Sequence, residues 1–343
     1  MNNTKYSFKN DYSELIAPEI LQALSAASNK QLTPYGEDEY SIRAGELIRD
    51  KIKNPRAGVY FVGSGTQANL VVISTLLRPI EAAIAPDSGH VSLFETGAIE
   101  ATGHKVCTVK HQDGKLTAKD VENVVIAHYD EHMVIPKLVY ISQSTEHGTI
   151  YKKAELEQIS RYCCENGLYL FVDGARLASA MCSSVCDMTY SEFAALVDAF
   201  VMGGTKNGML FGDAIVICKE ELNCNFRYYI KQRGAMFSKG AAIGVQFEAM
   251  MKDGLYDKFA QKANKTAAIL AGGIKALGYE FLYPFETNQV FPILPVKTIE
   301  KLQQKYEFYE WEKLGDKSAA RLIASWATPP EKAEEFLELL KTL

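Results

Sequence analysis

Short apolar runs recur along the first two thirds of the chain, each of strand length and often ended by glycine, aspartate or proline. Amphipathic segments at residues 67–77, 118–128 and 153–165 separate several of them. This alternation predicts βαβ units and a mainly parallel sheet in an α/β fold. Because the runs are apolar throughout, we expect helices on both faces of the sheet. The predicted strands are Gly58–Val62, Ala82–Ala85, Leu138–Ile141, Leu168–Val172, Ala199–Met202 and Ala214–Cys218.

The last third of the chain has a different pattern, which indicates a second unit. Residues 227–277 are helical in pattern, with few breaking residues before two adjacent glycines. We interpret residues 1–250 as a large domain with an N-terminal helical segment, and residues 251–343 as a smaller α+β domain. The elements predicted in that region are strands at 289–294 and 321–326 and helices at 298–306 and 330–340.

Charge and composition exclude several classes of protein. The net charge of −5 argues against a nucleic-acid binder, which would normally be basic. The first ten residues have no apolar core, so we expect no signal peptide, and the apolar runs are far shorter than the roughly 18 residues of a membrane span. The seven cysteines form no Cys-x-x-Cys pair, which favours free thiols in the cytoplasm and no metal site.

A loop of small residues follows the predicted strand that ends at Val62. Its residues Ser64, Gly65 and Thr66 precede a predicted helix. Backbone N–H groups and hydroxyls at a helix N-terminus can bind phosphate, aided by the helix dipole. An ordinary helix cap is the alternative. The loop has neither the Walker lysine nor the GxGxxG spacing of dinucleotide sites, which argues against a nicotinamide-dependent dehydrogenase.

An aspartate and a lysine stand at the ends of two later predicted strands. Asp173 follows a buried strand, where α/β sheets bind ligands, and Lys206 follows Gly203-Gly204-Thr205. Burial lowers the pKa of an amine and so favours a nucleophilic lysine. The alternatives are a helix cap for Asp173 and a solvated surface charge for Lys206. An anion loop, a carboxylate and a lysine together match what pyridoxal 5′-phosphate (PLP) requires of a protein.

From about Asp11 to Trp326 the sequence resembles the L-threonine aldolase and β-eliminating lyase family of fold-type I PLP-dependent enzymes. The stretches Thr145–Tyr151 and Gly203–Gly208 are similar to its low-specificity branch. The resemblance implies a mostly parallel seven-stranded sheet between helices, with a smaller C-terminal α+β domain. The phrases that carry it are Tyr35–Asp38, Ser64–Asn69, His90 with Glu95, Asp173–Ala178, Gly203–Gly208, Lys231–Gly234, Ser238-Lys239 and Arg321–Trp326.

The resemblance also implies roles for the residues that would bind the cofactor. Lys206 would bind its aldehyde covalently and carry catalysis, and Asp173 would pair with its ring nitrogen. His90 would stack on the ring and take part in catalysis, although it could instead be a structural histidine. The phosphate would be bound by Ser64, Gly65, Thr66 and Thr205.

A second set of residues would bind an amino-acid substrate. Arg321 would bind the carboxylate through its guanidinium fork, unless it forms a surface salt bridge. Arg176 would reach either the cofactor's phenolic oxygen or the same carboxylate. Asn10 stands where the family usually has a serine that helps to bind the carboxylate. Tyr35 would complete the site of a neighbouring subunit, because family sites lie at the interface of a homodimer or homotetramer.

The acid–base residue departs from the family pattern. Many members have Thr-His where this chain has Thr145-Glu146, and that histidine is a candidate for handling the substrate hydroxyl. We expect His132 to take over the role, since it lies just upstream of a predicted strand, with His128, His147 or an activated water as the other candidates. All three could also be ordinary loop histidines.

The activity that the resemblance implies is aldol cleavage of β-hydroxy-α-amino acids, such as L-threonine or L-allo-threonine, to glycine and an aldehyde. Such a lyase would act in threonine catabolism and glycine biosynthesis. A PLP-dependent β-eliminating lyase or an aminotransferase would use the same lysine and aspartate, so both stay open. A PLP-dependent regulator or an inactive paralogue is a further alternative. We disfavour the regulator because we see no appended DNA-binding domain, and the inactive paralogue because Lys206, Asp173 and the arginines are intact.

Overall fold

The computed structural model describes residues 5–111 and 113–343, and a seven-stranded sheet forms its centre. The sheet order is β2-β8-β7-β6-β5-β3-β4, and of these strands β8 alone runs in the direction opposite to the other six. The strands are β1 (Tyr6–Ser7), β2 (Gly58–Val62), β3 (Glu81–Pro86), β4 (Val106–Val109), β5 (Ile135–Ser142), β6 (Tyr169–Asp173), β7 (Ala199–Gly203), β8 (Asp213–Ile217), β9 (Gln289–Val290), β10 (Ile293–Pro295), β11 (Tyr306–Glu307), β12 (Tyr309–Leu314) and β13 (Lys317–Ile323). The predicted α/β class and the six predicted strands are confirmed, and β4 was missed.

Helices cover both faces of the sheet, as the apolar strands require. Within β5, Val139 and Ile141 pack in one apolar cluster while Leu138 and Tyr140 pack in another. The helices are α1 (Pro18–Ala27), α2 (Glu39–Ile52), α3 (Gly65–Leu76), α4 (His90–Leu93), α5 (Ala118–Ala127), α6 (Lys153–Glu165), α7 (Leu177–Met181), α8 (Tyr190–Leu196), α9 (Phe226–Gln232), α10 (Ala241–Lys252), α11 (Leu255–Ala276), α12 (Val296–Leu302) and α13 (Pro330–Lys341). In the described residues, no helix is long and apolar enough to cross a membrane.

The strand directions decide which loops meet. The carboxyl ends of β2, β3, β4, β5, β6 and β7 lie at one edge of the sheet, because these strands share a direction. Strand β8 runs the other way, so its first residue, Asp213, lies at that same edge, opposite Val62 and Gly203. The edge therefore collects the loops that follow six strands and the start of the seventh.

The C-terminal region forms a small antiparallel sheet from β9, β10, β12 and β13. It shares a third apolar cluster with α11, α12 and α13. Phe8, from the other end of the chain, joins this cluster, and its ring lies 5.7 Å from those of Tyr306 and Phe336. Helix α11 spans both regions, with Tyr256 in the first cluster and Leu270 in the third. A division near residue 250 stays a prediction.

The sheet edge depends on a close approach that only glycine permits. A Cβ atom on Gly174 would lie 1.8 Å from the carbonyl oxygen of Val201. We expect Gly174→Ala to destabilise the fold by about 3 kcal/mol or more, because backbone must move to make room. Urea unfolding would measure this. In the matched control Gly272→Ala the new Cβ meets no atom within 4 Å, so that helical position should gain about 0.5–1 kcal/mol. Equal stability of Gly174→Ala and the unaltered chain would contradict the close packing.

Candidate active site

A cavity of about 630 Å³ opens at this edge of the sheet, a size suited to a small-molecule ligand. The cavity brings together most of the residues that the sequence singled out. Those that line it are Ser64, Gly65, Thr66, His90, Asp173, Arg176, Thr205, Lys206 and Arg321.

Lys206 lies in a short helical turn directly after β7. It is partly buried, and its side chain helps to line the cavity. Burial lowers the pKa of its amine and the charge of Arg176 adds to the effect, while Asp11, Asp173 and Asp213 act in the opposite direction. A lowered pKa enlarges the neutral, nucleophilic fraction of the amine at neutral pH. Its position in the cavity wall and its lowered pKa therefore suit the Lys206 amine to attack on a carbonyl carbon.

Asp173 is the last residue of β6 and is buried. Its Oδ2 accepts hydrogen bonds from Asn69 Nδ2 at 2.9 Å and from the Tyr140 hydroxyl at 2.8 Å, and its Oδ1 accepts one from the Ala175 N–H at 2.9 Å. Burial alone would raise the pKa of this carboxyl, but His90, Asn69 and Lys206 outweigh burial and lower it. A carboxylate has about four acceptor positions, so one remains for a ligand N–H.

The glycine-containing loop between β2 and α3 is a helix N-terminus. Ser64 caps α3 by accepting the Gln67 N–H at 3.3 Å, which is the ordinary capping role. The Gly63 N–H donates to Gln67 Oε1 at 2.9 Å. The N–H groups of Gly65 and Thr66 belong to the first turn of the helix, which leaves them without an intrahelical acceptor. Such a turn can bind an anion in addition to being capped.

Two arginines in the cavity wall have different partners. Arg176 forms a two-bond ion pair with Asp11, with N–O distances of 2.7 and 3.0 Å. Arg321 instead donates to the neutral amide oxygen of Gln289, at 3.2 Å from Nε and 2.5 Å from Nη2. Its guanidinium carbon lies 4.9 Å from the Trp311 ring centroid. Burial, with repulsion from Arg176, lowers the pKa of Arg321 to about 10. A buried guanidinium whose acceptor is neutral favours an anionic ligand such as a carboxylate.

His90 opens the short helix α4 and is oriented by an acid. Its Nδ1 lies 2.8 Å from Glu95 Oε1, and Asn69 Nδ2 donates to that same oxygen at 2.7 Å. Because a carboxylate can only accept, Nδ1 carries the proton in this pair. Asn69 thereby links the orientation of His90 to the carboxylate of Asp173.

Comparison with known proteins decides the family. Residues 11–296 match the sequence profile of the β-eliminating lyases. The chain belongs to this family. It is 32% identical to the low specificity L-threonine aldolase of Pseudomonas sp. NCIMB 10558, over 98% of this chain and 97% of the relative. The same identity and coverage hold for the Pseudomonas aeruginosa PAO1 enzyme of that name. The solved structure of Leishmania major threonine aldolase superposes with a TM-score of 0.97 at 47% identity, over 98% and 99% of the two chains.

Among the histidines of this β-eliminating lyase, His132 does not lie where we expected. It is exposed and precedes β5, which places it at the amino edge of the sheet, opposite the cavity. The expectation that His132 serves the site is therefore corrected. His128 hydrogen bonds through Nδ1 to its own helix, at the Val124 carbonyl. His147 stacks on Tyr283 at 4.0 Å, and burial lowers its pKa to about 4.

Asn10 and Tyr35 also lie outside the lining of this cavity. The Asn10 side-chain oxygen accepts the Tyr12 N–H and the Ser13 hydroxyl, both at 3.0 Å, so it stabilises a local turn. Its neighbour Asp11 is the residue that reaches the site, through Arg176. Tyr35 is 42% exposed and lies under the ammonium of Lys231. A role for Tyr35 in a neighbouring subunit stays a prediction.

Several residues of the site were not singled out as site residues from the sequence. Asn69 lies in the loop phrase and Tyr140 in a predicted strand, but nothing indicated that both would bind Asp173. Asp213 follows a glycine at the start of a buried strand, which is a detectable signal. Its Oδ1 accepts the Gly204 N–H at 2.8 Å, and burial raises its pKa. Glu146 was noted only as a departure from the family pattern.

Proposed function

We propose that this chain is a PLP-dependent lyase that cleaves β-hydroxy-α-amino acids, such as L-threonine or L-allo-threonine, to glycine and an aldehyde. The proposal is supported by its similarity to threonine aldolases over nearly the whole chain. The observation that carries it is that Lys206, Asp173 and Arg321 line one cavity that begins at the N-terminus of α3. Threonine would yield acetaldehyde, so the enzyme would act in threonine catabolism and glycine formation.

The residues of the cavity fit PLP. The cofactor needs an amine for its aldehyde, an acid for its ring nitrogen and an anion site for its phosphate. Lys206 has a lowered pKa, and Asp173 is ionised with one acceptor position left. The first turn of α3, with Ser64, Gly65 and Thr66, would receive the phosphate, and Thr205 lies at the same end of the cavity. When bound, PLP would accept electron density from the bond that breaks at the α-carbon.

The protein's own contribution is binding and orientation. Arg321 would bind the substrate carboxylate, because its present acceptor is a neutral amide that offers no competing charge. Arg176 is fixed by Asp11 and would contribute the N–H groups that Asp11 leaves free. Asp173 would hold a proton on the ring nitrogen, and His90, fixed by Glu95, would cover one face of the ring. Holding the carboxylate fixes which α-carbon bond is aligned for cleavage.

An assay that follows all possible products tests the reaction type. We expect L-threonine to give glycine and acetaldehyde in equal amounts, with no 2-oxo acid and no ammonia. β-Elimination would instead release ammonia with pyruvate from serine or cysteine, and transamination would require a 2-oxo acid acceptor. Release of ammonia from threonine, serine and cysteine without acetaldehyde would overturn the aldolase assignment while leaving the PLP site intact.

We also propose that the enzyme is a cytoplasmic homodimer or homotetramer with shared active sites, built from domains 1–250 and 251–343. The free cysteines are consistent with a reducing compartment. Phe94 lines the cavity and is 53% exposed, so a neighbouring subunit would cover it in a shared site. Sedimentation equilibrium tests this proposal. A monomeric protein would contradict active sites that are shared between subunits.

A further inference from the structure

Glu146 lies in the loop that follows β5 and is held there by the backbone. The Thr145 N–H donates to the Thr149 carbonyl at 2.9 Å, and Gln289 Nε2 donates to the Thr145 carbonyl at 3.2 Å. These bonds fix the turn in which Glu146 stands. Its side chain points toward the cavity and forms part of the wall.

One oxygen of the Glu146 carboxyl is anchored and the other is not. Oε1 accepts the backbone N–H of His90 at 3.0 Å and the Ser142 hydroxyl at 2.8 Å. Oε2 is buried and has no hydrogen-bond partner within residues 5–111 and 113–343. A buried polar atom without a partner is unfavourable unless a ligand supplies one. The anchored oxygen fixes the direction in which the other one points.

Glu146 interacts with charged groups of both regions of the cavity, the one proposed for the cofactor and the one proposed for the substrate carboxylate. His90 and Asp173 face it from the cofactor end, and the positive charges of Arg176 and Arg321 act on it from the carboxylate end. Burial raises the pKa of Glu146, the Ser142 hydrogen bond opposes this, and repulsion from Asp173 raises the pKa further. A carboxyl with a raised pKa is a better proton acceptor when ionised.

Besides Glu146, the carboxyl groups that line the cavity are those of Asp173 and Asp213, which are already engaged, and that of Glu310, which is exposed. Asp173 accepts three hydrogen bonds, and Asp11 is paired with Arg176. Asp213 accepts the backbone N–H groups of Gly204 and Thr205. Glu146 thus combines a place in the cavity wall with a buried oxygen that has no partner among the described residues.

Building on the proposed function, we propose that Glu146 is the catalytic base that takes the proton of the substrate's β-hydroxyl. The O–H bond breaks and its proton moves to Oε2, while its electron pair forms the carbonyl bond of the aldehyde. The Cα–Cβ bond breaks at the same time and its electron pair stays with the glycine part. That carbon then takes up a proton, and Glu146 gives its proton to solvent, so protons balance over the cycle.

The variant Glu146→Gln tests this, because it keeps the shape and both acceptor contacts of Oε1 but cannot accept the proton. We expect kcat for threonine cleavage to fall by roughly 10²–10⁴-fold, the range for removal of a positioned acid–base group. Exchange of the glycine α-proton with deuterated water, followed by NMR, needs the cofactor site but no hydroxyl, so we expect it to be retained. Glu312→Gln, an exposed position on β12, is the matched control and should change neither reaction.

Two further readouts separate a chemical role from a structural one. In the unaltered enzyme, the rate of cleavage should fall as the pH falls through the raised pKa of Glu146. The residual rate of Glu146→Gln should not show this decrease at low pH. Glu146→Asp, which keeps a carboxyl, should recover part of kcat. Retained cleavage in Glu146→Gln, or loss of glycine exchange together with cleavage, would overturn the proposal. If the unaltered enzyme exchanged the glycine proton but cleaved no β-hydroxy amino acid, the proposed function itself would fail, and the assignment of Glu146 with it.

Discussion

Lys206→Ala should abolish both turnover and the stable attachment of PLP. The side chain is the amine of the cavity whose pKa is lowered by burial and by Arg176, and alanine has no group that can form a bond to the cofactor aldehyde. We expect kcat for threonine cleavage to fall by at least about 10³-fold, toward the upper end of the range for loss of a positioned reactive group. The purified variant should lose its visible absorption or show it at a different wavelength. Any cofactor that it still binds should be removed by dialysis.

The same variant should fold. A buried amine whose pKa is lowered disfavours the folded state at neutral pH, because its charged form is the one that burial penalises. Removing it should therefore leave the melting temperature of the cofactor-free protein unchanged or raise it. Lys262→Ala, at an exposed position of α11, is the control and should keep both colour and activity. Unaltered threonine cleavage in Lys206→Ala would refute the catalytic assignment.

The site residues that the pattern of strands predicts, without any resemblance to a family, share a position at the end of an apolar strand. Ser64, Asp173 and Lys206 each follow an apolar run, and parallel strands bring such positions to the same edge. His132 does not have this position. It precedes β5 and therefore lies at the opposite edge of the sheet. Asp213 reaches the site for the converse reason, since β8 is reversed and begins where its neighbours end.

The pairings between side chains could not be read from the sequence. Asp11 binds Arg176 and Gln289 binds Arg321 across long stretches of chain, and no local pattern specifies either contact. Strand β12 was missed because half of its residues are charged and most are exposed, so its apolar residues form no continuous run. Phe8 packs against the C-terminal cluster from the far end of the chain. These contacts depend on tertiary packing, which overrides local pattern.

Asp173→Asn should reduce turnover strongly while the chain still folds. The carboxylate is ionised because His90, Asn69 and Lys206 outweigh the effect of burial on its pKa. The neutral amide of asparagine has no charge to keep a proton on the ring nitrogen. If its NH₂ group took the position of Oδ2, it would also face the two donors that bind Oδ2 now, Asn69 Nδ2 and the Tyr140 hydroxyl. We expect kcat to fall by about 10²–10³-fold, comparable to loss of one preorganised electrostatic contact.

Asp198→Asn is the matched control, because it removes a second buried aspartate of the same sheet at the opposite edge. Asp198 accepts the Leu170 N–H at 2.6 Å and pairs with Lys219, away from the cavity. Each substitution disturbs buried hydrogen bonds and should lower the free energy of unfolding by about 1–3 kcal/mol. Since the pKa of Asp173 is lowered, its contribution to stability is present at neutral pH and is lost as the pH falls through the pKa of the folded state. Only Asp173→Asn should lower kcat per folded molecule, and equal kcat values for the two variants would show that Asp173 serves the fold and not the chemistry.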